Sequence, residues 1–230
     1  MKGQPEVTRF SLTKVNFEVP LPHVFQKKLP SSMNAQEKLF DFLSSYPGLT
    51  PEDISTLMKA IPVEAVPAGT VLAEAGKPFQ ECYFVLQGCL RQFKMIDGTE
   101  RTTAFFEESE ACLMAQCYLS GAPSEQYIIA VEDCLLLKGT PESEQEMYDR
   151  IPAVREISRL MTEADLGKAQ DALTRFVSMT PEERYLDLMK TRPKLIQRVP
   201  QRHIASFLGI APESLSRLRR RLAERSTASR

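Results

Sequence analysis

No apolar run in this 230-residue chain reaches the ~18 residues a helix needs to span a bilayer. The opening segment, MKGQPEVTRF, lacks the apolar core of a secretory signal. A cytoplasmic protein with no membrane partner is therefore expected. Histidine is scarce: His23 and His203 are the only two, too few to assemble a histidine-based metal site or a nucleophile–base pair. The five cysteines, Cys82, Cys89, Cys112, Cys117 and Cys134, are odd in number, unclustered and set among apolar neighbours. That pattern excludes a disulfide framework and offers no ligand run for an iron–sulfur cluster. They read as core thiols of a reducing compartment, with oxidant sensing by Cys112 or Cys117 the one redox role left open. No catalytic constellation stands out, so an enzyme is not expected, and no cofactor or metal is implied.

Net charge is also missing, at −1 for the whole chain, but its distribution is uneven. From Arg192 to the end there are ten Lys or Arg against two acids, Glu213 and Glu224, a local balance of +8, while the first 191 residues stand at −9. One end attracts phosphate and the rest repels it, which orients a chain on nucleic acid and makes binding salt-dependent.

What is present at that basic end is QRHIASFLGIAPESLSRLRRRL, residues 201–222, which reads as a helix-turn-helix. Ala205 is small enough for two helices to approach, and Gly209 can adopt the positive dihedral that stops the first helix. Ile204, Leu208, Ile210, Leu215 and Leu218 supply apolar contacts that fix the crossing. Pro212 suits a first helical position, Glu213 favours the positive end of the helix dipole, and Leu215, Leu218 and Leu222 form one inward stripe. The opposite face then carries Glu213, Ser214, Ser216, Arg217, Arg219, Arg220 and Arg221. An inserted recognition helix presents its first turns to base edges. Arg217 can fork onto both major-groove acceptors of guanine, and Glu213, one turn earlier, can accept from a cytosine amino group. Ser214, Ser216, Arg219 and Arg220, with Gln201 and Arg202 at the start of the first helix, complete the expected DNA surface, and His203 is expected to approach a phosphate.

Upstream, Thr50-Pro51-Glu52, Thr140-Pro141-Glu142 and Thr180-Pro181-Glu182 each offer a hydroxyl cap, a proline at the first position and an early acid, so each marks a helix start. Between about Val63 and Lys138, short apolar runs broken by turns indicate an antiparallel β structure, and Asp97-Gly98 marks a tight hairpin. After Pro152 a long helical pattern, including Leu160, Met161, Leu166, Leu173, Phe176 and Val177, holds more apolar surface than one helix can hide alone. Pairing with the same stripe of a second copy, as a two-fold helix pair, accounts for the excess. Four regions follow: an N-terminal arm (1–35), a β domain (36–140), a dimerisation helix (141–178) and a DNA-binding domain (179–230).

This order, with the segments AGTVLAEAGKP, YFVLQG and QRHIASFLGIAPESLSRLRR, resembles the cyclic AMP receptor protein and fumarate/nitrate reductase regulator (Crp/Fnr) family of bacterial transcription factors over about residues 36–225. The resemblance implies an α+β fold: a cyclic-nucleotide-binding-like β-roll, a long dimerisation helix and a C-terminal winged helix-turn-helix. Glu213 and Arg217 match the family's base-reading pair, whereas Pro212 stands where the family usually has arginine, so an altered operator is expected. The implied partners are double-stranded DNA, a second copy of the chain, RNA polymerase and an unidentified small-molecule effector. In cyclic-nucleotide-binding members a glutamate and, about ten residues later, an arginine hold the ribose and the phosphate. The matching positions here are Met114 or Gln116, and Ser124 or Glu125. Neither family residue is present, and a carboxylate at Glu125 facing a phosphate ~4 Å away at an effective dielectric of 20 would cost roughly 4 kcal/mol. Cyclic AMP and cyclic GMP are therefore not expected as ligands, and the pocket is read as empty, rebuilt or vestigial. The alternative to a DNA-binding regulator is a signalling or interaction module whose basic helix is a docking surface without sequence-specific DNA binding.

Overall fold

The computed structural model describes residues 35–228; the N-terminal arm, but for its last residue, lies outside the described residues. Two short helices, α1 (Ala35–Ser44) and α2 (Pro51–Ala60), lead into eight strands: β1 (Val63–Val66), β2 (Val71–Ala73), β3 (Cys82–Gln87), β4 (Leu90–Ile96), β5 (Thr99–Phe106), β6 (Ala111–Leu113), β7 (Tyr127–Ala130) and β8 (Cys134–Gly139). A single helical interruption, α3 (Ala115–Ser120), separates β6 from β7. The strands form two four-stranded sheets, ordered β1-β8-β3-β6 and β2-β7-β4-β5, with every pairing antiparallel. Their inner faces enclose one apolar cluster that includes Phe79, Tyr83, Val85, Leu90, Ile128 and Leu136.

Local chemistry explains the punctuation. Asp97 and Gly98 both take positive φ, 49° and 72°, which turns the β4–β5 hairpin in two residues with the twist its strands require. Gly88 (φ +105°) is forced by crowding as well as by dihedral, since a Cβ there would lie 2.5 Å from Cys134 Sγ. Thr50, Thr140 and Thr180 each close a capping box at the start of α2, α4 (Pro141–Arg150) and α6 (Pro181–Thr191). The region 141–178 is therefore two helices rather than one. Pro152 starts α5 (Pro152–Ser178), because a ring without an N–H cannot continue α4.

The first part of α5 seals the roll. Ala153, Val154 and Met161 join α1, α2 and the outer faces of β3 and β8 in a second cluster around Leu39, Leu57, Leu135 and Ile151. Every residue from Leu166 to Ser178 is exposed, and the helix meets the chain again at its end, where Arg175 pairs with Asp187 at 3.7 Å and the Phe176 carbonyl accepts from Arg184 at 2.8 Å. At ~1.5 Å per residue the whole helix is about 40 Å long, so its exposed second half bridges from the roll to α6.

The C-terminal domain follows as α6, α7 (Pro193–Arg198), α8 (Gln201–Phe207) and α9 (Pro212–Ala228). Its core joins Tyr185, Leu188, Leu195, Val199, Ile204, Ala205, Leu208, Leu215 and Leu218, and it takes in Cys89 and Phe105 from the roll. The α+β architecture, the β-roll and the helix-turn-helix agree with the expectation in outline. The wing does not: no strand occurs among described residues 179–228, and the segment between α6 and α8 forms α7, anchored by a fully buried Leu195.

Candidate nucleic-acid interface

The turn between α8 and α9 is built as its residue types require. Ala205 is fully buried where the helices cross, Gly209 takes φ +73°, and the Ile210 N–H returns to the Ala205 carbonyl at 3.0 Å. Leu215 and Leu218 are buried, which turns Glu213, Ser216, Arg217 and Arg220 to solvent. Ser214 and Arg219 are half-buried at the edge of that face. The Arg217 guanidinium reaches back 3.3 Å to the Ser214 hydroxyl, one turn earlier. Glu213 and Arg217, four residues apart, thus stand together at the start of α9. At the other end the cations are not free: Arg221 and Arg225 both bond to Glu182 on α6, the latter at 3.1 Å.

Gln201 and Arg202 are exposed at the start of α8. His203 beside them departs from the reading as a phosphate contact. Burial, reinforced by the Arg91 and Arg202 charges, lowers its imidazole to about 4. It is neutral at pH 7 and accepts from Arg202 Nε at 3.3 Å, so the cation offered to a phosphate here is Arg202.

The four residues of the degenerate nucleotide cassette separate into two pairs. Met114 and Ser124 are buried side by side, the sulfur 3.2 Å from the hydroxyl, which also exchanges bonds with the backbone of Gln126 at 2.7 and 2.9 Å. Gln116 and Glu125 face solvent. Glu125 is 79% exposed and bonded to Lys94 at 2.5 Å, which holds its carboxyl below the usual range. The repulsion expected from Glu125 is therefore not delivered inside the roll. What the interior offers a phosphate instead is apolar side chains and a hydroxyl already satisfied by its own turn.

Cys89, Cys112, Cys117 and Cys134 are buried core residues, and Cys82 is half-buried at the start of β3. Burial pushes Cys82 and Cys89 up to about 12 and Cys134 to about 11, and raises Cys112 as well, which suppresses the thiolate that an oxidant or metal needs. Among the described residues no group of three or more His, Cys, Asp or Glu could hold a metal ion, and no helix is long and apolar enough to cross a membrane.

Sequence reasoning missed how this domain meets the roll. Arg198 grips Glu108 with both terminal nitrogens, at 2.8 and 2.9 Å, and donates from Nε to Glu132 at 2.8 Å. Arg192 bonds to Glu107 at 2.7 Å and Glu110 at 3.1 Å. Burial works to raise the Glu108 carboxyl, but bonds from Arg198 and the Gly88 N–H outweigh it and hold the group below its ordinary value. Beside these pairs Phe105 meets Phe207 edge to face, ring centroids 5.4 Å apart. No local spacing around Glu107, Glu108 and Glu110 reveals partners some ninety residues away.

Residues 63–150 match the family model described as cyclic nucleotide-binding domain. A comparison with curated protein sequences gives no match. Among solved structures, FixK2 from Bradyrhizobium japonicum is 20% identical, covering 72% of this chain and 86% of its own, with a TM-score of 0.60. The global regulator CLP of Xanthomonas campestris, described as c-di-GMP responsive, is 17% identical over 77% of this chain and 93% of its own, with a TM-score of 0.60. A protein from Eubacterium rectale, described as a transcriptional regulator of the Crp/Fnr family, is 17% identical over 79% and 88%, with a TM-score of 0.59. The fold of these three proteins is shared along most of the chain.

Proposed function

We propose that this chain is a sequence-specific DNA-binding transcriptional regulator of the Crp/Fnr type, acting as a homodimer on a two-fold-related operator. The observation that carries this reading is the free face of α9. Buried Leu215 and Leu218 fix the helix, while Glu213 and Arg217 project together from its first turns, where an inserted helix meets base edges. Dimerisation is supported by the exposed second half of α5, where Leu166, Leu173 and Val177 are 60, 65 and 74% exposed and Phe176, under the Arg184 guanidinium, is 50% exposed. Two such helices side by side bury this surface and set two recognition helices ~34 Å apart, one helical turn of DNA. A cyclic nucleotide is not the signal in this reading, because among the described residues the apolar cluster inside the roll holds no cation for a phosphate. Catalysis has no part in it.

Selection of bound duplexes from a random pool tests the proposal, and a palindrome with half-sites one turn apart is expected. On the selected site Arg217→Ala is expected to cost about 1 to 3 kcal/mol and to relax preference at one base pair, whereas Arg219→Ala weakens specific and random duplexes alike. Equal losses on both duplexes for Arg217→Ala remove its role as a base reader. Absence of any selected sequence removes the regulator reading itself.

A further inference from the structure

The β4–β5 hairpin of the roll reaches the helix-turn-helix and leaves an open cleft of about 570 Å3 between them, lined by Arg91, Glu100, Arg101, Arg202, His203 and Pro212 among others. The seat is fixed. The Ser206 hydroxyl on α8 donates to the Glu100 carbonyl at 3.0 Å and accepts the Thr102 N–H at 2.9 Å, one bond on each side of Arg101. Arg202 lies one turn before Ser206 on the same helix, so the two arginines are carried by one rigid junction.

Charge in the cleft is not balanced. Glu100, the one acid among its lining residues, is taken by Arg91 Nη1 at 2.6 Å, and Arg91 Nε donates to the Thr102 hydroxyl at 2.8 Å. Arg91 is 3% exposed, and its remaining nitrogen, Nη2, has no partner. A buried guanidinium with an unused donor leaves positive potential in its surroundings. Above it, Arg101 and Arg202 have no carboxylate within ion-pair distance among the described residues; the one side-chain bond of Arg202 goes to neutral His203. By holding Glu100, Arg91 keeps the one available carboxylate away from both.

Resting on the DNA-binding reading above, we propose that this cleft seats a phosphate of the DNA backbone between Arg101 of the roll and Arg202 of α8, making the roll part of the DNA-binding surface. The placement follows from docking geometry. The first helix of the motif crosses the backbone and the start of the second enters the groove, and the cleft lies against Arg202 on the former and Pro212 on the latter. A phosphodiester presents two anionic oxygens, which two guanidinium forks satisfy. The contact lies outside the base-reading pair and carries no sequence information of its own.

The test uses the full chain with a duplex recovered by selection, a random duplex of the same length, and the selected duplex trimmed at its flanks. Arg101→Ala is expected to weaken both full-length duplexes alike and to reduce the slope of log affinity against log salt by about two units for the dimer, one for each copy of the chain. From about 50 to 200 mM salt the wild type then loses roughly tenfold more affinity than the variant. Arg101→Lys keeps the slope, and flank trimming weakens the wild type but not Arg101→Ala. Because Arg101 is exposed, the variant's thermal unfolding should match wild type. If Arg101→Ala leaves affinity and slope unchanged while Arg217→Ala still weakens the selected duplex, this proposal is overturned and the DNA-binding reading stands. If the wild type binds no duplex, both fall. Calorimetric heat from inorganic pyrophosphate that needs Arg101, with DNA binding insensitive to it, assigns the cleft to a free small anion and also overturns the proposal.

Discussion

His203 shows how one side chain's setting decides its chemistry. Its sequence position, beside Arg202 at the start of a helix-turn-helix, invites a phosphate, yet burial and two neighbouring guanidiniums keep the ring neutral. The linkage has a defined sign. An unfolded chain binds a proton at this ring near pH 6.5, the folded chain only near 4. Between those values the unfolded state holds more protons, so the contribution is intact above about pH 6.5 and is lost as pH falls towards 4. The carboxyls of Glu108, Glu125 and Glu183 are held below their ordinary value of 4.5, so their contribution is lost only as pH falls through about 4.5 and leaves the range from pH 7 to 5 to the histidine. Urea midpoints are expected to decline from pH 7 to 5 in the wild type and to flatten in His203→Gln. Parallel profiles for the two proteins would show that the ring titrates normally.

At the scale of elements, α5 carries the strongest expectation. Leu166 and Leu173 lie one heptad apart on an exposed stretch that none of the chain's apolar clusters covers. Leu173→Glu places a charge in the middle of the proposed helix pair without touching either domain core. Sedimentation is expected to show a monomer at concentrations where the wild type is a dimer, with helical content preserved. Operator affinity should fall far more than random-duplex affinity, since half-sites are then bound one at a time. A wild type that sediments as a monomer defeats the pairing.

Elements were legible in the sequence where a local rule sets them. Thr50, Thr140 and Thr180 cap helices because a hydroxyl and an early acid satisfy orphan N–H groups within three residues. Asp97-Gly98 and Gly209 turn the chain through dihedrals that few residues tolerate. The missing wing and the presence of α7 were not legible. TRPKLIQRVP has a proline near each end and no sustained period, and it becomes helical because Leu195 inserts into a core assembled from three other helices. Arg91 was equally hidden. An arginine in a strand pattern reads as solvent-facing until Glu100 and Thr102 are brought opposite it by the hairpin register.

Over the whole molecule, the charge asymmetry read from the sequence serves two purposes rather than one. Five of the ten C-terminal cations, Arg192, Arg198, Arg220, Arg221 and Arg225, are paired with carboxylates of the chain itself. The first two hold the DNA-binding domain against the roll through Glu107, Glu108, Glu110 and Glu132. These pairs are partly buried, Arg198 being 21% exposed, so salt screens them less than it screens the DNA-facing arginines. In a dimer, a fixed orientation of each domain determines whether two recognition helices reach successive grooves together. Arg198→Glu removes the bidentate partner of Glu108 and adds a like charge, with an expected cost to docking of about 1 to 3 kcal/mol. Hydrogen exchange should then accelerate at the Thr102 N–H, whose bond to Ser206 depends on the docked geometry. Affinity for a full two-fold operator should fall while affinity for a single half-site is retained, because only the former needs both domains in register. Glu108→Arg combined with Arg198→Glu restores an opposite-sign pair and should recover much of both losses. If Arg198→Glu leaves Thr102 exchange and operator affinity at wild-type values, the acidic edge of the roll plays no part in orienting the DNA-binding domain.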